Sequence, residues 1–191
     1  MARPGVRDEV RDALERSAAP AAVAAALVQL GEGHPDLDDW LDDDPDRVTR
    51  LVAVLAASRA LTRLLESRPE ALAVLANLEA RPPLDAVTTE RLAEWKRLEL
   101  LRLAARDLVG LDDLSTVGRS LADLAADVLA SACRLAGAEG LAVIGMGKLG
   151  GRELNYSSDI DIMFVGDGAP DALESSARQV MDVARTCFRV D

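Results

Sequence analysis

Up to about residue 137 the chain carries apolar residues at intervals of three and four, broken at Gly and Pro, which predicts a succession of helices. Asp44 followed by Pro45 predicts a cap and first turn for a helix with Val48, Leu51, Val52, Leu55 and Leu65 on its apolar side. Another short helix begins at Pro69 and runs through Leu72, Leu75 and Leu78, and RPPLDAVTT then breaks the chain. From Thr89 a longer helix places Leu92, Trp95, Leu98, Leu101 and Leu108 at helical spacing and stops at Gly110. A further helix from about Ser115 to Leu135 presents Leu121, Leu124, Val128 and Leu129. These stripes read as core, so residues 1–137 form a helical, bundle-like block.

Near Gly137 the period changes. LAVIG, residues 141–145, reads as a short buried strand, and DIDIMFV, residues 159–165, as a second strand with strict alternation. A Gly-rich turn lies between them. The turn Gly166-Asp167-Gly168 then leads into a helix from about Ala169 to Thr186, and the last residues, CFRVD, read as the start of a third strand. The fold class expected is mainly α with α+β character, a helical block followed at residues 138–191 by an incomplete mixed sheet.

Composition narrows the function. The 33 acidic and 22 basic side chains give a net charge of −11, which disfavours a surface that broadly binds nucleic acid or an anionic membrane. About half the chain is apolar but only 3% is aromatic, so the core is built mainly from Leu, Val and Ala. Cys133 and Cys187 stand far apart in apolar stretches and read as buried free thiols, while His34, inside the acidic run HPDLDDWLDDDPD, reads as part of a solvated loop. The amino terminus lacks a signal-like apolar core, and AAPAAVAAALVQL is shorter than the roughly 20 apolar residues a bilayer requires. A cytoplasmic protein is expected, with no nucleic-acid or membrane partner.

The candidate chemistry lies in LAVIGMGKLGGRELNYSSDIDIMFVGD. Side chains at i and i+2 of a strand share a face, with Cα atoms about 6.6 Å apart, so Asp159 and Asp161 stand side by side. Ile160, Ile162 and Phe164 alternate with them and anchor the strand on the helices. Adjacent carboxylates repel unless a cation lies between them, and their hard oxygen atoms suit Mg²⁺ held jointly with phosphate oxygens. Gly147, Gly150 and Gly151 allow close backbone approach to a polyphosphate, Lys148 offers positive charge, and Ser158 a further hydrogen bond. Taken singly, a D-x-D is often a solvated strand edge and a Gly cluster is often only a turn; their order here, with apolar alternates, favours phosphoryl or nucleotidyl transfer.

Two rival phosphate motifs fit less well. Gly145, Gly147 and Gly150 match G-x-G-x-x-G after a strand, but only RELNYSS separates Gly151 from Asp159, too little for the crossover helix of a dinucleotide-binding unit. A P-loop fails because Leu149 follows Lys148 where Ser or Thr is required.

GMGKLGGRELNYSSDIDIMF resembles the signature of the glutamine synthetase adenylyltransferase family, and the resemblance extends upstream through SRALTRLLESRPE and ELLRLAARDLVGLDDL. It implies a nucleotidyltransferase domain of the DNA polymerase β type, in the amino-terminal half to which deadenylylation is assigned. By position, Asp159 and Asp161 are then the metal-binding pair, and Asp191 in FRVD matches the third carboxylate. The implied cofactor is Mg²⁺, and the implied partners are glutamine synthetase as protein substrate, ATP or ADP, inorganic phosphate and a nitrogen-signalling regulator protein. Because the family continues through the rest of this domain and a second, adenylylating half, the chain is expected to be an amino-terminal fragment. The alternative function is a noncatalytic docking module that binds glutamine synthetase or a signalling protein through its helices.

Overall fold

The computed structural model describes residues 4–188. In chain order these form α1 (Pro4–Arg16), α2 (Pro20–Gly33), α3 (Leu37–Asp42), α4 (Pro45–Ala57), α5 (Arg59–Ser67), α6 (Pro69–Ala76), α7 (Thr89–Leu108), α8 (Leu114–Leu135), β1 (Leu141–Gly145), α9 (Gly147–Gly150), β2 (Ile162–Gly166) and α10 (Pro170–Phe188). The chain is mainly α with a small sheet, as expected. No helix among the described residues is long and apolar enough to cross a membrane.

The contacts divide the chain into two compact units. One comprises the residues through Arg81 together with Ala104–Leu111; the other comprises Pro82–Leu103 and the chain from Asp112 onward. The sequence reading places a boundary at residue 137, whereas the unit that carries the sheet also takes in α8 and most of α7.

In the helical unit, Val23, Leu30, Leu51, Val54, Leu65 and Leu75 are fully buried, contributed by α2, α4, α5 and α6. The Asp44 cap forms as expected, accepting a hydrogen bond from the Asp46 N–H at 3.0 Å with Pro45 opening α4. Leu65, however, belongs to a separate helix. Ser58 takes an extended conformation and accepts from the Leu61 N–H, ending α4 and capping α5. His34 is not a free loop residue either: it ends α2 half-buried, with Nε2 3.0 Å from the Leu65 carbonyl oxygen.

In the sheet-bearing unit, Leu92 and Trp95 from α7 pack in one cluster with Leu121, Leu124, Val128 and Leu129 from α8 and with Ala184 and Cys187 from α10. The Trp95 indole N–H donates to the Pro82 carbonyl at 2.9 Å. Asp113 caps α8 through the Thr116 N–H at 2.7 Å, while Gly110, which stops α7 at φ +74°, is counted with the helical unit. The two strands pair antiparallel, with Leu141 opposite Gly166, Val143 opposite Phe164 and Gly145 opposite Ile162.

Three expectations change here. β1 is not a buried strand, because Ala142 and Ile144 point to solvent while Leu141 and Val143 pack inward. β2 begins at Ile162, so Asp159 and Asp161 lie in the extended segment just ahead of the ladder. Cys187 and Phe188 end α10 and do not start a strand, since Cys187 is needed in the helical core; residues 189–191 lie outside the described residues. Both thiols are free, Cys187 buried and Cys133 only half-buried.

Candidate functional site

The alternation that the sequence shows from Asp159 to Val165 survives the late start of the ladder. Ile160 and Ile162 pack against the α7–α8–α10 cluster and Phe164 against the cluster of Ala132, Ala138 and Val180, whereas Asp159, Asp161, Met163 and Val165 are exposed. Ile144, opposite Met163, is exposed as well. One side of the hairpin is thus anchored on helices and the other is open, with both carboxylates at its edge.

Between the strands, Gly147–Gly150 makes a single helical turn held against the end of β1. A Cβ on Gly150 would lie 2.6 Å from the Gly145 carbonyl oxygen, and one on Gly145 would lie 2.9 Å from Leu149 Cγ. These two glycines are therefore demanded by packing. Gly147 differs: its φ is +47°, and a Cβ there would stand 3.1 Å from Asp161 Oδ2. The Met146 N–H donates to the Asp161 carbonyl at 2.8 Å, so turn and carboxylate segment are joined through the backbone, with the Asp161 side chain lying close to Gly147.

The N–H groups of Gly150 and Gly151 donate inside the turn, to the carbonyls of Met146 and Gly147, both at 2.9 Å. Lys148 is exposed, and its side chain makes no hydrogen bond or ion pair among the described residues. The side chains of Asp159 and Asp161 likewise find no cation among those residues. Ser158 Oγ accepts from the Asn155 N–H at 2.9 Å, closing the loop just before Asp159 and leaving its own proton to donate. Asp191 lies outside the described residues, and no group of three metal-ligating side chains occurs among those described.

The other lysine is placed differently. Lys96 on α7 lies 5.7 Å from the ring centroid of Phe188, and burial, followed by the charge of Arg97, pushes its ammonium below the ordinary lysine range. Burial also raises the Cys187 and Cys133 thiols. None of these groups joins the open side of the hairpin.

Sequence reading missed one feature. Arg152, after the last glycine of the turn, has φ +57°, and its Nη2 lies 2.7 and 2.9 Å from the two carboxylate oxygens of Asp123 on α8. Nothing in the helical spacing distinguishes Asp123 from any solvated helix acid.

Gly147 of the Gly-rich turn thus stands close to the exposed Asp161 carboxylate, with Asp159 exposed two residues earlier, and carboxylate oxygens are hard ligands of the kind that suit a divalent cation. The antiparallel hairpin rules out the parallel crossover of a dinucleotide-binding unit. The comparisons with known proteins are narrower. The family profile for Glutamate-ammonia ligase adenylyltransferase matches residues 78–190. The chain is 37% identical to the bifunctional glutamine synthetase adenylyltransferase/adenylyl-removing enzyme of Streptomyces coelicolor, with 94% of the chain covered and 21% of the relative. It is 37% identical to the protein of that name from Streptomyces avermitilis, over 88% of the chain and 19% of the relative. For the Mycobacterium avium relative the identity is 34%, over 92% and 21%. The chain belongs to the glutamate-ammonia ligase adenylyltransferase family, and it spans about a fifth of the length of these curated relatives.

Proposed function

We propose that the chain forms part of a nucleotidyltransferase that regulates glutamine synthetase, and that its open hairpin face serves the removal of AMP from a tyrosine of that enzyme. The observation that carries this reading is the pair Asp159 and Asp161, exposed without a cation among the described residues and joined to the Gly-rich turn through the approach of Asp161 Oδ2 to Gly147. The name of the relatives, which includes an adenylyl-removing activity, supports the direction.

The carboxylates of Asp159 and Asp161 suit Mg²⁺, with Asp191 as the third ligand that the family resemblance suggests. The bound ion would lower the charge on the phosphoryl oxygens. Lys148 adds positive charge for the incoming phosphate, Gly147 lets the nucleotide approach the backbone, and the Ser158 hydroxyl donates to a phosphoryl oxygen. Gly150 and Gly151 shape the turn. In the removal direction an oxygen of inorganic phosphate attacks the phosphorus of the adenylyl group, the bond to the tyrosine oxygen breaks, and that oxygen takes a proton; the products are ADP and free tyrosine. Adenylylation from ATP, with release of pyrophosphate, belongs in this reading to the second half that the family resemblance implies. The cytoplasm is the proposed location, and a nitrogen-signalling regulator is a proposed partner.

The test is titration of the chain with Mn²⁺ and ADP, followed by water-proton relaxation. Saturable binding that Asp161→Asn abolishes, with thermal unfolding unchanged, is the expected result. Equal binding by that variant removes the site assignment. In that case a pull-down of glutamine synthetase that survives replacement of both carboxylates would favour the docking-module reading.

A further inference from the structure

Arg152 is the one non-glycine residue with positive φ among the described residues, at +57°. An L residue persists there only where the surroundings over-determine it. Two sets of bonds do so. Its backbone closes the Gly-rich turn, with the Arg152 N–H donating to the Leu149 carbonyl at 3.1 Å and the Glu153 N–H to the Lys148 carbonyl at 2.8 Å. Its guanidinium reaches Asp123 on α8 through one nitrogen placed on both carboxylate oxygens.

The same limb of the chain rests directly on α8. A Cβ on Gly118 would stand 3.5 Å from Glu153 Cα and from the Leu154 carbonyl oxygen, and 3.6 Å from that of Arg152. Backbone contact at Gly118 and charge contact at Asp123 thus fix residues 152–154 on the helix, with Leu149 and Leu154 buried on either side. Asp123, Arg152, Gly145, Leu149 and Gly150 also border a cleft of about 490 Å³ between α8 and the turn. Were the pair to open, the turn could shift into that space, and Gly147 would move away from Asp161.

We infer that Asp123 and Arg152 are a positioning pair, which holds the Gly-rich turn on α8 and so sets the approach of Gly147 to the Asp161 carboxylate. The inference rests on the proposed site for its functional meaning, although neither residue is among those proposed to hold the ligand. Both side chains are more than half exposed, 55% for Arg152 and 52% for Asp123, so the pair contributes little to global stability and acts through geometry.

Arg152→Gly is the decisive variant, because Gly accepts the left-handed conformation without strain while the side chain that carries the guanidinium is lost. The expected result is a fall of about tenfold in Mn²⁺–ADP affinity with no loss of thermal stability, as for other outer residues that orient a metal site. Asp123→Asn should give the same fall, and the exchanged pair Asp123→Arg with Arg152→Asp should recover affinity, since Asp tolerates the left-handed region. Wild-type affinity in Arg152→Gly overturns the inference. Should the unmodified chain bind no Mn²⁺–ADP, the site reading fails by itself; amide exchange at Gly150 and Gly151 then decides the pair, with faster exchange in Arg152→Gly supporting it and unchanged exchange overturning it.

Discussion

The arginines of the helical unit and the charges on the open hairpin face make opposite use of the same chemistry. Arg47, Arg50 and Arg106 each keep only 16 or 17% of their side-chain surface exposed. Arg47 donates to the Trp40 carbonyl at 2.7 Å and to Asp43 at 2.9 Å, with its guanidinium over the Trp40 ring. Arg50 reaches Asp44 and the carbonyls of Leu75 and Ala76 at the end of α6, and Arg106 joins Glu79 and the Leu78 carbonyl. Lys148, Asp159 and Asp161 have no such partners among the described residues. Partnered charges tie helix ends together, whereas unpartnered ones remain available to a ligand. The difference separates a structural charge from a candidate functional one more sharply than charge density does, because the most acidic segment, around Asp36–Asp46, lies in the helical unit.

The contrast can be broken where it is strongest. Arg50→Ala removes a half-buried cation from two helix-end carbonyls and the carboxylates of Asp44 and Asp46, and should cost about 1.5–3 kcal/mol in urea unfolding; a loss no larger than that of an exposed arginine such as Arg178 would show that its partners add nothing. A smaller effect should come from Asp113, a partnered carboxylate in the sheet-bearing unit. Hydrogen bonds from Thr116 hold its carboxyl below the usual range. Its contribution is therefore present above the ordinary carboxylate range and is lost as pH falls through it towards the depressed native value. Asn caps as well but does not titrate, so the gap in Tm between the wild type and Asp113→Asn, followed by circular dichroism, should narrow on acidification. The smallest effect belongs to the unpartnered pair. Replacing both Asp159 and Asp161 by Asn should leave unfolding within about 0.5 kcal/mol of wild type, and a large loss would place these residues with the arginines.

What was legible in the sequence is what depends on neighbours in the chain. Asp44-Pro45, Pro69, Thr89 and Gly110 mark helix ends through local backbone chemistry, and all four lie where the spacing puts them. The open face was legible too, from the alternation between Asp159 and Val165. Ser58 was missed because the apolar spacing runs across it unbroken from Leu55 to Leu65, although a Ser can both end one helix and cap the next. The burial of Cys187 was legible from its apolar stretch, but its place in α10, the contact of His34 with Leu65 and the pairing of Asp123 with Arg152 were not, since each depends on residues distant along the chain. For the same reason the change of period near Gly137 did not mark the edge of a compact unit. The strands need α8 and α10 to cover Val143, Ile162 and Phe164; the alternation shows that these residues need a cover, but not which helices supply it.

The antiparallel register has a consequence for how the site tolerates change. With Gly145 opposite Ile162, parity decides which residues meet the helices. Adding or deleting one residue between Asp161 and Ile162 would reverse that parity for one side of the junction, sending either both carboxylates or the whole apolar set to the wrong face. Length should therefore change only in even steps near the carboxylates, so the chemistry of this segment is protected by counting as much as by residue identity.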